Sequence, residues 1–430
     1  MFKFLFKSIF WLAWLVPVQE SFAVPAFAKQ TAQSCIACHA GGQFPELTPY
    51  GRLFKLTAYT IGERALPISV MAVVGASRMA KPNQVDASLQ DHNAGQGLPN
   101  PINQSISFET GSLFLAGKVT DNIGGFAQIT YDNFAAPNAT GVNTVGHTGT
   151  DNIDIRYADQ IVTRSSNLIY GLSLNNNPSV SDPWNTAGAW MNYVPSTGGK
   201  GSNAYIDATT PYPNNGLPGF VTGLNAYAFL NKKYYGELGF YRTANKFLSF
   251  MNSGHDTSPI KGNNPYWRVA YNKEWGPENL MVGLSGMTSH PYDSAAGVAL
   301  SDAASYYKSK SNGLDLQYQY LLDPHALTVQ GVYQHQFTLP SIQDGGNALR
   351  ANLSRLKASY TYMAKYGGSL AHFNQSGNFA TATTGNTSEI FFIPVQNIRL
   401  GLQYTQYSRV ANINNPHDAN TLRLYGWFAY

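Results

Sequence analysis

Cysteine is nearly absent: two residues in 430, at positions 35 and 38, so no disulfide framework holds this chain together. Charge is scarce as well. Asp, Glu, Lys and Arg make up 12%, about half the roughly 25% of ordinary globular proteins. The net charge of +4 is too small and too dispersed for nucleic acid, which calls for clustered Lys and Arg. Past the N-terminus there is no run of about eighteen apolar residues, and mean hydropathy is −0.22, which excludes membrane-spanning helices. No Ser/His/Asp grouping, phosphate loop or paired-carboxylate site stands out. What is plentiful is tyrosine (27), phenylalanine (23) and glycine (40). That balance leaves a large secreted β-protein or an outer-membrane barrel.

The first residues indicate the compartment. Lys3 and Lys7 form a positive n-region, Ile9 to Val18 is an apolar stretch of signal-peptide length, and Ser21-Phe22-Ala23 supplies small residues for cleavage. The expectation is a cleaved signal peptide over 1–23 and a mature chain from Val24, with cleavage after Ala28 the second choice. A retained anchor would need a longer apolar stretch.

Both cysteines fall in one motif, Cys35-Ile36-Ala37-Cys38-His39. The pattern C-x-x-C-H is the attachment signal of a c-type haem. Two thiols three residues apart meet the two vinyl groups of one porphyrin, and the adjacent His is thereby placed as proximal iron ligand. A dithiol oxidoreductase would want a βαβ context, and a lone structural disulfide would not need His39. One motif predicts one covalent haem c, bound by Cys35, Cys38 and His39, with His39 on the metal. The segment 24–64 around it is near the lower size limit for an independent core. Phe27, Phe44, Leu47, Tyr50, Leu53, Phe54, Leu56 and Tyr59 are available to wrap a porphyrin, and Leu47, Tyr50, Phe54 and Ile61 have the spacing of a short helix. The segment holds no Met and no second His, so a sixth ligand would come from the rest of the chain, from water, or not at all. Met71 and Met79 follow closely, although packing is the commoner use of such residues.

From residue 65 onward the dominant period is two. Leu314, Leu316, Tyr318 and Tyr320 alternate with Asp315, Gln317 and Gln319. Leu356, Ala358, Tyr360 and Tyr362 alternate with Arg355, Lys357, Ser359 and Thr361. Ile398, Leu400, Leu402 and Tyr404 alternate with Arg399, Gly401 and Gln403. One face suits lipid and the other a lumen. Tight links are expected at Asp121-Asn122, Ser165-Ser166, Asn231-Lys232-Lys233, Gly276-Pro277-Glu278, Asp323-Pro324-His325, Tyr366-Gly367 and Gln396-Asn397. Long polar loops are expected near 79–105, 135–150, 178–218, 246–263, 291–306, 339–348, 377–386 and 409–418. Seven turns and eight loops separate sixteen strands, and short turns on one side with long loops on the other is the outer-membrane pattern. A last strand, Thr421 to Tyr430, that stops on an aromatic residue fits it. A soluble sandwich or propeller is the competing architecture, and no fixed-period repeat favours it. The expected fold is therefore all-β: a 16-stranded antiparallel transmembrane β-barrel over 65–430 in a Gram-negative outer membrane, with a small c-type cytochrome segment plugging its lumen. Lumen-facing charges are expected at Asp154, Arg156, Glu237, Arg268, Asp315, Arg355, Lys357, Arg399 and Arg423. His92, His147, His255 and His417 fall in expected outer loops without metal-ligand spacing.

The haem motif lies between Val24-Pro25-Ala26-Phe27-Ala28 and Phe44-Pro45-Glu46-Leu47-Thr48-Pro49-Tyr50-Gly51-Arg52-Leu53-Phe54-Lys55, and it leads into a sixteen-strand pattern. In this it resembles the fused monohaem cytochrome–porins, outer-membrane proteins associated with bacterial ferrous-iron oxidation. Leu172 to Pro178 and Asp182-Pro183-Trp184-Asn185 add to the likeness. The resemblance implies a haem plug in or at the mouth of the barrel, passing electrons from an extracellular donor such as Fe(II) to periplasmic carriers. It also implies Arg52 as a haem-propionate partner. The alternative function is a solute porin whose haem segment senses or gates. Partners on the first view are outer-membrane lipid, the extracellular donor and a periplasmic carrier, with no nucleic acid.

Overall fold

The computed structural model describes residues 25–42, 46–80, 106–132, 136–137, 143–144, 147–186, 219–252, 260–292, 306, 308–339, 348–377, 382–410 and 414–430. The expected leader over 1–23, Phe44, His92 and His255 lie outside the described residues.

Sixteen antiparallel strands close into one barrel. In chain order they are β1 (Ile68–Met79), β2 (Ile106–Lys118), β3 (Ile123–Asp132), β4 (His147–Val162), β5 (Asn167–Asn175), β6 (Val221–Leu230), β7 (Tyr234–Thr243) and β8 (Asn264–Trp275). Then follow β9 (Glu278–Ser289), β10 (Lys308–Leu322), β11 (His325–Leu339), β12 (Leu349–Tyr362), β13 (Tyr366–Gly377), β14 (Thr383–Val395), β15 (Ile398–Val410) and β16 (Thr421–Ala429). Each strand pairs with its neighbours in sequence, and β16 returns to β1 with Met71 opposite Ala429 and Met79 opposite Thr421. Closure leaves no exposed edge, which is what lets strands cross lipid with every backbone group paired. No helix among the described residues is long and apolar enough to cross a membrane.

Alternation decides which side chains go where. Along β8, Asn264, Tyr266, Arg268, Ala270 and Asn272 are buried, while Trp267, Val269 and Tyr271 face outward. The three alternating stretches read from the sequence divide in the same way: Asp315, Gln317, Gln319, Arg355, Lys357, Arg399 and Gln403 are buried, and Leu314, Leu316, Leu356, Tyr360, Leu400, Leu402 and Tyr404 are exposed. All nine expected lumenal charges are 9% exposed or less. Polar inside and apolar outside is the reverse of a soluble core, and it is the arrangement a membrane selects. Outward tyrosines and a tryptophan at Tyr234, Trp275, Tyr362 and Tyr366 ring the short-turn end, where aromatic side chains meet a lipid interface.

Six of the seven tight links hold a turn where expected, although Glu278 and His325 already open β9 and β11. The correction is at Tyr366-Gly367, which begins β13; the turn is Met363-Ala364-Lys365, with Met363 and Ala364 at φ +54° and +51°. Gly367 is a strand residue because the inward ring of its partner Phe391 lies over it: a β-carbon at Gly367 would come within 2.2 Å of that ring. Two loops are also shorter than expected. Strand β4 already begins at His147, so this residue is not a loop residue, and β14 begins at Thr383, inside the expected loop 377–386.

Candidate functional site

Three short helices carry the motif segment: α1 (Pro25–Thr31), α2 (Cys35–Cys38) and α3 (Pro49–Leu56). The motif itself is the single turn α2, which brings both thiols to one side, and Cys35 and Cys38 do not form a disulfide. His39 caps this turn and forms a bridge with Leu47. Thr48 then starts α3. Its hydroxyl accepts from the Gly51 N–H at 3.1 Å and donates to the Ala37 carbonyl, while Pro49 occupies the first helical position, where no donor is needed. One side chain thus caps the second helix and ties it to the motif. The helix runs from 49 to 56, so Leu47 and Ile61 lie outside it. Phe27, Phe54 and Tyr59 pack as an aromatic trio, Phe27 stacked on Tyr59 at 5.3 Å.

Inward-facing wall residues meet this segment. Arg52 donates to Gln319 at 3.0 Å, to Glu274 and Asn279 at 3.3 Å, and to the Leu47 carbonyl at 3.0 Å. Lys357 pairs with Glu46. The Tyr59 hydroxyl donates to Asp154 at 2.6 Å, and Tyr227 donates to the Leu56 carbonyl at 2.8 Å. The Cys35 N–H donates to Gln396 at 3.4 Å, and Gln30 joins the Lys118 N–H to the Tyr59 carbonyl. Lys118, Glu274, Asn279, Gln319 and Gln396 lie in or next to short turns, so these contacts mark one end of the barrel.

A second inward element is a part of the long connection after β5. In its one-turn helix α4 (Pro178–Ser181) Pro178, Val180 and Ser181 are buried, as are the residues from Asp182 to Thr186. Asp182 pairs with Arg268 at 3.2 Å, Arg268 forks onto both oxygens of Asp315 at 2.7 Å, and Thr186 donates to Asp315 at 2.6 Å. Trp184 is fully buried with Phe229 and Tyr235, in a cluster that also takes in Leu56 from the motif segment. Lys55 bridges the two inward elements, donating to the Asp182 carbonyl at 2.6 Å and to Asn185 Oδ1 at 2.8 Å.

Between these pieces is a cavity, partly open to solvent, beside Cys35, Cys38 and His39. Its lining is mostly apolar: Phe27, Leu47, Phe54 and Tyr59 from the segment, Phe114 and Phe126 from the wall, and Val180 from α4. Lys55 and Asn185 add the polar groups outside residues 31–39. Two thiols, an imidazole and aromatic walls around one cavity are the donor set and lining that a covalently attached porphyrin would use. No Met and no second His is among the described residues lining it, Met71 included. Arg52, implied by the family resemblance as a propionate partner, is not in the lining either and spends its donors on the wall. Among the described residues no group of three His, Cys, Asp or Glu could hold a metal ion.

The site is electrostatically uneven. Burial and the neighbouring Cys35 push the Cys38 thiol up to about 11, so it stays protonated at neutral pH. Burial, followed by the Arg156 charge, pushes the Lys55 ammonium down to about 7, against the pull of Asp154, Asp182 and Glu237. Burial alone would raise the Glu46 acid, but Lys357 outweighs it and holds Glu46 below its ordinary range. The residues that sequence reasoning missed are Lys55, Phe114, Phe126, Val180 and Asn185. Of these, Lys55 and Asn185 carried a signal, as the last residues of Phe44 to Lys55 and of Asp182-Pro183-Trp184-Asn185, the stretches that carry the resemblance.

No family model and no curated protein matches the chain. Among solved structures it is similar to Salmonella typhi OmpF in complex with daunomycin (9% identity, 84% of this chain and 97% of that chain, TM-score 0.48). It is also similar to the outer membrane channel DcaP of Acinetobacter baumannii (11% identity, 84% and 96%, TM-score 0.44) and to an anion-selective porin from Comamonas acidovorans (10% identity, 84% and 98%, TM-score 0.41).

Proposed function

We propose that this chain is an outer-membrane electron-transfer protein, with residues 25–64 as a resident c-type cytochrome plug. It would take electrons from an extracellular donor, ferrous iron being one, to a periplasmic carrier. The observation that carries this reading is the C-x-x-C-H turn opening onto a cavity that the motif segment and the barrel wall line together. Cys35 and Cys38 would hold haem c as thioethers, and His39 would be its proximal ligand. Bound there, the haem supplies a one-electron couple.

The chain's own residues do the rest. Phe27, Phe54, Tyr59, Phe114 and Phe126 give the site a mostly apolar lining, and an apolar shell is one of the means by which a protein sets a haem potential. The bonds from Arg52, Glu46, Tyr59 and Leu56 to the wall keep the plug at one depth in the barrel. A fixed depth matters because one redox centre must serve both sides of an apolar band about 25 Å tall, and electron tunnelling falls steeply with distance. The inward loop through Trp184 narrows the lumen next to the plug, which favours electron transfer over solute passage.

The test is stopped-flow spectroscopy on proteoliposomes with ferrous iron outside and an acceptor inside. Reduction of the haem by external iron and reoxidation from within are expected, and both are lost in His39→Ala. Reduction only after permeabilisation would reject transfer across the membrane. Conductance that changes with redox state would instead support a porin with a sensing haem segment.

A further inference from the structure

We propose that Lys55, together with Asn185, is the docking point for a haem propionate. The inference rests on the haem reading above and gives it a residue that neither the motif nor the resemblance supplied. Attachment through two vinyl groups fixes one edge of the macrocycle at Cys35 and Cys38. The two carboxylates sit on the other edge. Where the mostly apolar lining is buried, a carboxylate requires a cation and hydrogen-bond donors, since an unpaired charge there is strongly disfavoured.

Among the described residues lining the cavity, Lys55 is the one Lys or Arg. It is 5% exposed, and its two hydrogen-bond partners, the Asp182 carbonyl and Asn185 Oδ1, are both neutral. An ammonium has three donors, so two bonds to the protein leave one for the cavity. The acids nearest to it are engaged elsewhere: Asp154 with Arg156, Asp182 with Arg268, and Glu237 with the Tyr235 hydroxyl. A buried cation with neutral partners is what an incoming carboxylate would complete, and its ammonium, held down to about 7 by burial, regains an anionic neighbour in the loaded protein. Asn185 places an amide group beside it. Arg52, one helical turn earlier on α3, is committed to Gln319, Glu274 and Asn279. The attachment site would then be completed by the barrel's own inward loop, and haem would bind the motif segment and the loop to each other.

The experiment is a spectroelectrochemical titration of the haem-loaded protein in detergent, between pH 5 and pH 9, for wild type, Lys55→Gln, Lys55→Arg and Asn185→Leu. Lys55→Gln keeps a donor for the Asp182 carbonyl but no charge. It should retain covalent haem on a denaturing gel while the ferric form becomes favoured roughly tenfold, about 59 mV for one electron, and the midpoint should acquire a pH dependence that wild type lacks. Lys55→Arg should restore the wild-type midpoint, and Asn185→Leu should shift it less, in the same direction. If Lys55→Gln assembles poorly, the Asn185→Leu and Lys55→Arg pair carries the test. Wild-type titration curves in both Lys55→Gln and Asn185→Leu overturn the proposal. So does a change of iron spin state in Lys55→Gln that Lys55→Arg does not reverse, because the amine would then act at the iron. Absence of covalent haem from the wild type would instead remove the haem reading itself.

Discussion

Gly51 lies directly on the Cys38 carbonyl: a β-carbon added at position 51 would come within 2.2 Å of that oxygen. The close approach lets α3 pack on the motif turn, with Thr48 joining the two through its cap and its bond to Ala37. Gly51→Ala cannot keep both contacts. Overpacking of this kind costs about 1–3 kcal/mol, and here it acts on the spacing of the thiols. The expected outcome is a several-fold loss of covalent haem per barrel on a denaturing gel, with the heat-modifiable barrel band unchanged. Full haem staining in Gly51→Ala would show that the packing does not matter for attachment.

The haem-free protein should become more stable with rising pH, and Lys55 is the reason. Its ammonium is pushed from an ordinary 10.5 down to about 7 when folded. The unfolded chain therefore binds more protons between those two values, and stability increases with pH across that window, by up to about 1.4 kcal/mol per pH unit. Below about pH 7 the cost of the buried charge is fully present. Asp154 and Arg156 from β4, Asp182 from the inward loop and Glu237 from β7 face it and set the size of the effect. Hydrogen exchange of the 49–56 amides should slow between pH 7 and 10 once corrected for the intrinsic rate. Lys55→Met should flatten the trend, and an equal slope in that variant would assign it to another group.

The barrel was legible in the sequence to a large degree because its physics is local. Charges two residues apart, as at Arg355 and Lys357, can only both face inward if Leu356 between them faces lipid. The turn at 363–365 was not legible, since Met and Ala at positive φ give no turn signal, whereas Gly367 and Gly368 imitate one. The site was half legible. Spacing alone put forward Cys35, Cys38 and His39, and the cavity lies beside them, but Lys55 and Arg52 are one helical turn apart, and only the tertiary contacts decide which lines the cavity. Nor does a polar loop announce that it folds into a lumen. Asp182 and Trp184 become buried because Arg268 and Tyr235 wait for them on strands far away in sequence.

Orientation is open to a direct test. Short turns face the periplasm in barrels of this class, which would put the motif segment on the side where haem is attached. An epitope inserted at Asn231-Lys232-Lys233 should be protected from protease on whole cells, and one inserted near residue 255 should be cleaved. The opposite pattern would invert the barrel.

The last prediction concerns the inward loop. Arg268 stands between two acids, Asp182 of the loop and Asp315 of β10, all three buried. Arg268→Met would leave two neighbouring buried carboxylates without their cation. Removing one partner from such a group costs about 3–5 kcal/mol. The wall cannot move without breaking the barrel, so the strain should be relieved by release of residues 178–186. Bilayer recordings should then show a larger single-channel conductance than wild type, and Trp184 fluorescence should shift to the red as the ring meets water. Combining Arg268→Met with Asp182→Asn and Asp315→Asn removes the charges together and should recover most of the wild-type conductance. If Arg268→Met conducts like wild type with an unshifted Trp184, the loop is held by its apolar contacts with Phe229 and Tyr235, and the charge cluster serves the wall alone.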